Sequence, residues 1–159
     1  VEVKGDYKFK ASPDKVWRVL TNPQALQNAL PGCDTLTETE TNHYDVTLKL
    51  SIASIKGTYH GKIHMDDLQT PTHFKLMVEG HSANGYLNGE ATFDLSTEGE
   101  GDKLKTVVAY KGVAIIGGTL ASVGARLLSP IAKLLIGNFF KNMEKQIPEI
   151  EAAYQQQSQ

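Results

Sequence analysis

Tyr44-Asp45-Val46-Thr47-Leu48-Lys49-Leu50-Ser51-Ile52, followed a few residues on by Tyr59-His60-Gly61-Lys62-Ile63-His64-Met65, decides the fold. In both runs every second residue is apolar or glycine, and the residues between are polar. A period of two marks a β-strand with one face buried and the other wet. Lys56-Gly57 reads as the turn between them, so the two runs are expected to pair as an antiparallel hairpin. The same period continues toward the C-terminus through Phe74, Leu76, Val78 and Gly80, then Leu87, Gly89, Ala91, Phe93 and Leu95, then Leu104, Thr106, Val108 and Tyr110. Gln69-Thr70-Pro71-Thr72, His81-Ser82-Ala83-Asn84 and Glu98-Gly99-Glu100-Gly101-Asp102 supply the turns. Six one-sided strands are expected from Cys33 to about Val113.

On the N-terminal side, Val3, Gly5, Tyr7 and Phe9 alternate with Lys4, Asp6 and Lys8, which gives a seventh strand. Ser12-Pro13-Asp14 then opens a helix: Ser12 is suited to cap orphan N–H groups, Pro13 fits the first turn, and Asp14 faces the positive end of the dipole. Val16, Trp17 and Leu20 form its apolar stripe, and Asn22-Pro23 ends it and starts a second short helix through Leu26 and Leu30. Pro31-Gly32 stops that helix. On the other side, from Gly117 to about Tyr154, helical spacing runs through Leu120, Val123, Leu127, Ile131, Leu134, Leu135, Phe139 and Met143. Ser129-Pro130 is expected to kink this helix, and Ile147-Pro148 to bend or end it before a glutamine-rich tail. The pattern predicts an α+β fold: a curved antiparallel sheet wrapped around one long helix, with two short helices between strands 1 and 2. It fits a single domain over residues 1–154 with a polar tail at 155–159.

The composition agrees with one soluble domain: 159 residues, 40% hydrophobic, 21% charged, net charge −2. That balance, without a basic tract, gives no electrostatic basis for nucleic-acid binding. Cys33 is the only cysteine, which excludes an intramolecular disulfide. No charged-then-apolar leader opens the chain, so the cytoplasm is the expected compartment; the first residue is Val, consistent with trimmed ends. Residues Val113 to Gly137 carry only Arg126 and Lys133 as charges and invite a membrane-span reading. Two basic residues near the centre oppose it by about 2.5–3.5 kcal/mol each, and the apolar sheet face needs this helix as its cover. Peripheral membrane contact through Lys133, Lys141 and Lys145 stays open.

The inward positions are unusually small. Gly5, Gly61, Gly80, Gly89 and Ala91 fall on the apolar register, and Gly117, Gly118, Ala121 and Gly124 stand on the segment opposite. Glycine in a strand serves a bend or a bulge; facing a helix with equally small residues, it also leaves an apolar pocket. Metal and catalytic readings are weaker. His60 and His64 lie roughly 13 Å apart along one strand, too far to share a zinc ion. His43, His73 and His81 stand near strand ends. No inward histidine is available as a base for Cys33, which reads as a small buried residue. Asp66-Asp67, Glu38-Thr39-Glu40 and Glu98-Gly99-Glu100 fall on turns or the wet face, where charge is simply solvated. No acid, base, metal ligand or cofactor is assigned. The inward phenols Tyr7, Tyr44, Tyr59 and Tyr110 either orient a ligand carbonyl or hydroxyl or pack in the core with satisfied hydroxyls.

Several strings resemble a known family. Ser12-Pro13-Asp14-Lys15-Val16-Trp17, the Asn22-Pro23 break, Leu30-Pro31-Gly32-Cys33, Ile55-Lys56-Gly57-Thr58-Tyr59, and Gly117-Gly118 with Gly124 and Arg126 are similar to the G-subunit family of carbon monoxide dehydrogenase. The Pro-x-x-Val-Trp part is shared with the wider START-like and pollen-allergen-like helix-grip (SRPBCC) superfamily. The resemblance implies a seven-stranded helix-grip fold with a hydrophobic cavity, in an accessory protein of molybdenum-containing dehydrogenases, with quinone-like ligands. Relatives tethered to the membrane carry a C-terminal extension, whereas this chain has only Gln155-Gln156-Gln157-Ser158-Gln159 after Tyr154.

The expected function is non-catalytic carriage of a quinone-, isoprenoid- or lipid-like molecule. Alternation places Tyr44, Leu48, Tyr59, Gly61, Ile63, Leu87, Gly89 and Phe93 on the sheet side of the binding site. Trp17, Leu20, Leu26 and Leu30 come from the short helices, and Leu120, Val123, Leu127 and Phe139 from the long one. The mouth is expected near the Pro31 turn and the start of the long helix. A different class of function, an assembly or membrane-recruitment factor docking on a molybdenum hydroxylase, would use the surface, where Met77, Val107 and Ala109 face outward.

Overall fold

The computed structural model describes residues 1–52 and 55–157. Its strands are β1 (Glu2–Phe9), β2 (Cys33–Glu40), β3 (His43–Ile52), β4 (Ile55–Gln69), β5 (His73–Ser82), β6 (Gly85–Glu98) and β7 (Lys105–Gly117). Its α-helices are α1 (Pro13–Leu20), α2 (Pro23–Ala29) and α3 (Ala125–Gln157). All seven strands form one antiparallel sheet in the order β1-β7-β6-β5-β4-β3-β2, wrapped around α3. The period of two translates directly into register: Tyr44 stands opposite Ile63, Ile63 opposite Val78, and Val78 opposite Gly89, so the apolar rows run across the strands on one face.

Local chemistry explains the connections. Asn22 caps α2, its side-chain oxygen accepting from Ala25 N at 3.0 Å. Ser12 makes no side-chain cap bond; α1 begins instead with the backbone bond Val16 N to Ser12 O, 3.1 Å, and with Pro13 fixing its first turn. Gly32 has φ +68°, and a Cβ there would overlap the carbonyl oxygen of Lys49. Only glycine allows α2 to turn this sharply into β2.

Three boundaries differ from the sequence reading. Lys56 and Gly57 are paired within β4, opposite Ser51 and Leu50, rather than forming the turn. β7 runs on to Gly117, and a short 3₁₀ segment, Gly118–Val123, precedes a helix that starts only at Ala125. Val113-Ala114-Ile115-Ile116 stays extended because its β-branched residues favour a strand and β6 offers partners: Ala114 faces Gly89 and Ile116 faces Leu87. α3 also continues through Pro130 and Pro148 to Gln157, into the stretch read as tail; Ser158 and Gln159 lie outside the described residues. Pro148 forfeits one backbone bond, but Ile147 in the core and the ion-paired Glu151 hold the helix on either side of it.

The core sits under the C-terminal half of α3. Phe9, Phe74, Phe93, Phe140 and Trp17 meet there, with Phe74 and Phe93 stacked at 4.8 Å and Trp17 edge-on to Phe74 at 5.5 Å. Polar bonds fasten the same half. Tyr7 Oη donates to Glu144 Oε1 at 2.8 Å, Lys10 N donates to Glu144 Oε2 at 2.9 Å, and Gln146 Nε2 donates to Ala25 O at 3.0 Å. Arg18 Nε donates to Glu151 Oε2 at 2.7 Å, and Arg18 Nη2 pairs with the other oxygen, a bidentate clasp between α1 and α3. Glu151 is 8% exposed, and the Arg18 hydrogen bonds hold its carboxyl below the usual carboxylate range against the opposing effect of burial.

Removing this clasp by Arg18→Ala is expected to cost about 2 kcal/mol, read as a shift in the urea unfolding midpoint. Because the folded-state pKa of Glu151 is depressed, its contribution is complete above the ordinary carboxylate pKa of about 4.3 and is lost as pH falls through the folded value. The stability difference between the wild type and Glu151→Gln should therefore be largest near neutral pH. It should shrink as unfolding is measured at progressively lower pH below 4.

Candidate ligand-binding cavity

Away from the aromatic core the same inner face changes character. Val46, Gly61, Gly80, Leu87 and Ile116 form one row across β3, β4, β5, β6 and β7. The next row is Ile63, Val78, Gly89 and Ala114, and the third is Leu76, Ala91 and Gly112. Each row carries at least one glycine where an aromatic or branched side chain would otherwise reach α3. Over these rows lie Leu128, Ile131, Ala132, Leu135 and Ile136 of α3, and between the two surfaces is a cavity of about 390 Å³. That volume lies in the range of small-molecule sites.

The wall is almost wholly apolar. Among carboxylate and imidazole side chains, His60, Glu79 and Glu90 touch it, but each is exposed on the outer register, so the pleat sends its side chain to the opposite face. Two larger hollows, about 750 and 600 Å³, lie on that outer face and are lined by Asp45, Lys62, Glu79 and histidines. They bury no comparable apolar surface. The inner cavity is therefore the candidate site.

Of the residues expected to line a binding site, Leu48, Tyr59, Gly61, Ile63, Leu87, Gly89 and Leu120 do border this cavity. Trp17, Leu20, Leu26, Tyr44 and Phe93 are instead packed in the solid core, with Phe139 against it. Leu30 and Val123 are half-buried away from the cavity wall, and Leu127 is 55% exposed. The displaced helix residues share one cause. Residues 113–137 carry only Arg126 and Lys133 as charges, which leaves little polar face to set the phase of the stripe, and Gly124 with φ +83° separates Leu120 and Val123 from the helix proper. Counting back from the buried Phe140, Met143 and Ile147 in steps of three and four reaches Ile136, Ala132 and Leu128, the phase the structure shows. Gly112, Ala114 and Ile116 also border the cavity, and they continue the alternation of Val108 and Tyr110 past the point where the strand was expected to stop. The Pro31 turn does not border the cavity; the start of α3 does.

Glycine size matters unequally. A Cβ at Gly61 would overlap the carbonyl oxygen of Glu79, so this glycine permits close approach of β4 and β5. At Gly80 the nearest atom would be His60 O at 3.7 Å, an ordinary contact. Gly5 leaves no room either, since the Tyr110 ring lies over it, and Gly117 is covered by Tyr86 in the same way.

The four inward phenols separate cleanly. Tyr7 is bonded to Glu144, and burial, reinforced by that carboxylate, pushes its pKa up to about 12. Burial, with Glu38 alongside, raises Tyr44 to about 12 as well, and burial with Asp6 raises Tyr110. Tyr59 alone of the four borders the cavity, and its hydroxyl is buried with no hydrogen-bond partner. A hydroxyl in that position costs roughly 1–3 kcal/mol. Cys33 is half-buried, its Sγ 3.4 Å from Thr35 O, and burial raises its thiol pKa, which works against nucleophilic character.

The histidines pair across strands rather than along them: His43 stacks on His64 at 4.9 Å and His60 lies 6.0 Å from His81, all on the outer face. His73 sits between Asp94, 2.7 Å from Nδ1, and Asp67, 3.2 Å from Nε2, at the β4–β5 turn. Among the described residues no group of three or more His, Cys, Asp or Glu converges to hold a metal ion. No helix among them is long and apolar enough to cross a membrane.

Comparison with solved structures extends the picture. A conserved protein from Geobacillus kaustophilus is 34% identical, with 94% of this chain covering 96% of that one at a TM-score of 0.87. A START superfamily protein from Mycobacterium smegmatis is 8% identical, covering 94% of this chain and 98% of that one, TM-score 0.70. Truncated norcoclaurine synthase from Thalictrum flavum is 13% identical, covering 92% of both chains, TM-score 0.64. At such identities the last two establish the helix-grip fold alone. No curated protein matches the chain. The family model for the G subunit of carbon monoxide dehydrogenase (CoxG) matches residues 5–148, nearly the whole sheet and most of α3. The chain therefore belongs to the CoxG family of carbon monoxide dehydrogenase subunits, on a START-like helix-grip fold.

Proposed function

We propose that the protein binds an apolar quinone-, isoprenoid- or lipid-like molecule in the cavity under α3 and does not transform it. It does so as an accessory protein of a molybdenum-containing, carbon monoxide dehydrogenase-type oxidoreductase in the cytoplasm. The observation that carries this reading is the cavity of about 390 Å³ whose wall offers apolar surface, the charged residues that border it, Glu79 and Glu90, belonging to the outer register. Catalysis finds no support there: proton transfer needs an acid or base facing the substrate, and the carboxylates and imidazole that border the cavity, Glu79, Glu90 and His60, belong to the outer register of the sheet. Family membership adds the accessory role.

A second reading, docking on a molybdenum hydroxylase or on a membrane through the surface, draws on exposed apolar residues. Leu127 and Leu134, 55% and 54% exposed, stand on the outside of α3 beside the exposed Arg126 and Lys133. Ile115 is 68% exposed on the outer face of β7, whereas Met77 and Val107 are half-buried. Denaturing the purified protein and analysing the organic extract by mass spectrometry discriminates the two. A near-stoichiometric neutral lipophile supports carriage; an empty protein that captures a molybdenum hydroxylase in a pulldown supports docking.

Gly80→Leu places a side chain into the cavity from a position that tolerates a Cβ. It should weaken binding of the neutral dye Nile red at least about tenfold with unfolding stability unchanged or raised. Unchanged uptake would remove the cavity as the site. Gly61→Leu is the wrong probe, because its Cβ meets the β5 backbone; it should lower stability by more than about 2 kcal/mol in chemical denaturation.

A further inference from the structure

One polar atom of a residue bordering the cavity has no explanation in the fold. Among the described residues, Tyr59 Oη is the one buried side-chain nitrogen or oxygen without a partner. Native proteins leave few such atoms, and each calls for a reason. Phenylalanine at this position would present the same ring to the cavity without an orphan hydroxyl. Water does not satisfy it, because protein groups cover the oxygen and close it off from solvent. The other inward phenols are accounted for elsewhere: Tyr7 by Glu144, Tyr44 within the core, and Tyr110 over Gly5 against Phe140.

Tyr59 stands on β4 opposite Leu48, at the end of the cavity bounded by Leu50 and Ile55, while the glycine rows fill the remainder. At that end of an otherwise apolar site lies one covered, unpartnered hydroxyl. A phenol is a hydrogen-bond donor by virtue of its proton, so the complementary group on a ligand is an acceptor. A carboxylate or phosphate is unsuited, since burying an ion against a wall without a facing basic side chain is heavily penalised.

We infer that Tyr59 is the specificity-determining residue of the cavity and selects a neutral molecule that carries a carbonyl oxygen at one end of an apolar body. The contact forms when the ligand displaces the groups that cover the hydroxyl. This assignment rests on the carrier reading above and narrows it: saturated hydrocarbons fill the volume without the bond, and fatty-acid anions are rejected.

A matched pair of probes tests it: 2-acetylnaphthalene and 2-ethylnaphthalene, near-identical in shape and differing in the carbonyl. Affinities are measured by displacement of Nile red from the wild type and from Tyr59→Phe. The wild type should prefer the ketone, and Tyr59→Phe should lose roughly five- to tenfold of that preference, with hydrocarbon affinity held within about twofold and the melting temperature unchanged or raised. A ratio of affinities that does not move on substitution overturns the assignment while leaving the cavity intact. Failure of both probes to bind the wild type overturns the carrier reading and this assignment together. 2-Naphthoate binding as tightly as the ketone would also sink it.

Discussion

The position of α3 over the sheet is set by one end. Five aromatic rings, the Arg18–Glu151 clasp and the Glu144 bonds to β1 hold the half of the helix from Phe140 onward. The other half is a continuation of the same rigid rod and cannot sink independently into a sheet surface made of Gly61, Gly80, Gly89, Ala91 and Gly112. Large residues at one end act as a spacer, and small residues at the other leave the space unfilled. Dense packing is the rule in protein interiors, so a volume of about 390 Å³ left open by this division of residue sizes is a built feature rather than a packing defect.

This division also separates what maintains the fold from what meets a ligand. The family-like Leu30-Pro31-Gly32-Cys33 string acts structurally: Gly32 alone fits beside the Lys49 carbonyl, and Lys49 N returns a 2.8 Å bond to Gly32 O. Trp17 of the Pro-x-x-Val-Trp string lies edge-on to Phe74 in the core. Both strings serve the packing of the scaffold, and neither borders the cavity. Helix-grip proteins that share architecture at low identity are then expected to differ in what they hold.

The sheet was readable because a period of two with alternating charge leaves no ambiguity about which face is wet: Asp45, Thr47 and Lys49 force Tyr44, Val46 and Leu48 inward. About half of the cavity wall followed from that alone. The helical half did not, because Leu127, Leu128, Leu134 and Leu135 are interchangeable by composition, and only contact with the sheet decides which of each pair faces in. Nor could strand alternation separate Tyr44 and Phe93, plugged into the core, from Tyr59, set at the cavity; that depends on where the rings of Trp17 and Phe140 end. Ile115 and Ile116 show the same limit, since a β-branched run is compatible with the end of a strand or the start of a helix until β6 supplies partners.

The sheet order has a consequence for how the chain reaches this state. β1 is hydrogen-bonded only to β7, pairing Phe9 with Thr106 and Glu2 with Val113 across about a hundred residues of intervening sequence. On a ribosome the first strand must wait, unpaired, while the meander from β2 to β6 is synthesised and zips up hairpin by hairpin. Its alternating lysines and aspartate, Lys4, Asp6 and Lys8, keep that waiting edge soluble and discourage pairing with a neighbouring nascent chain.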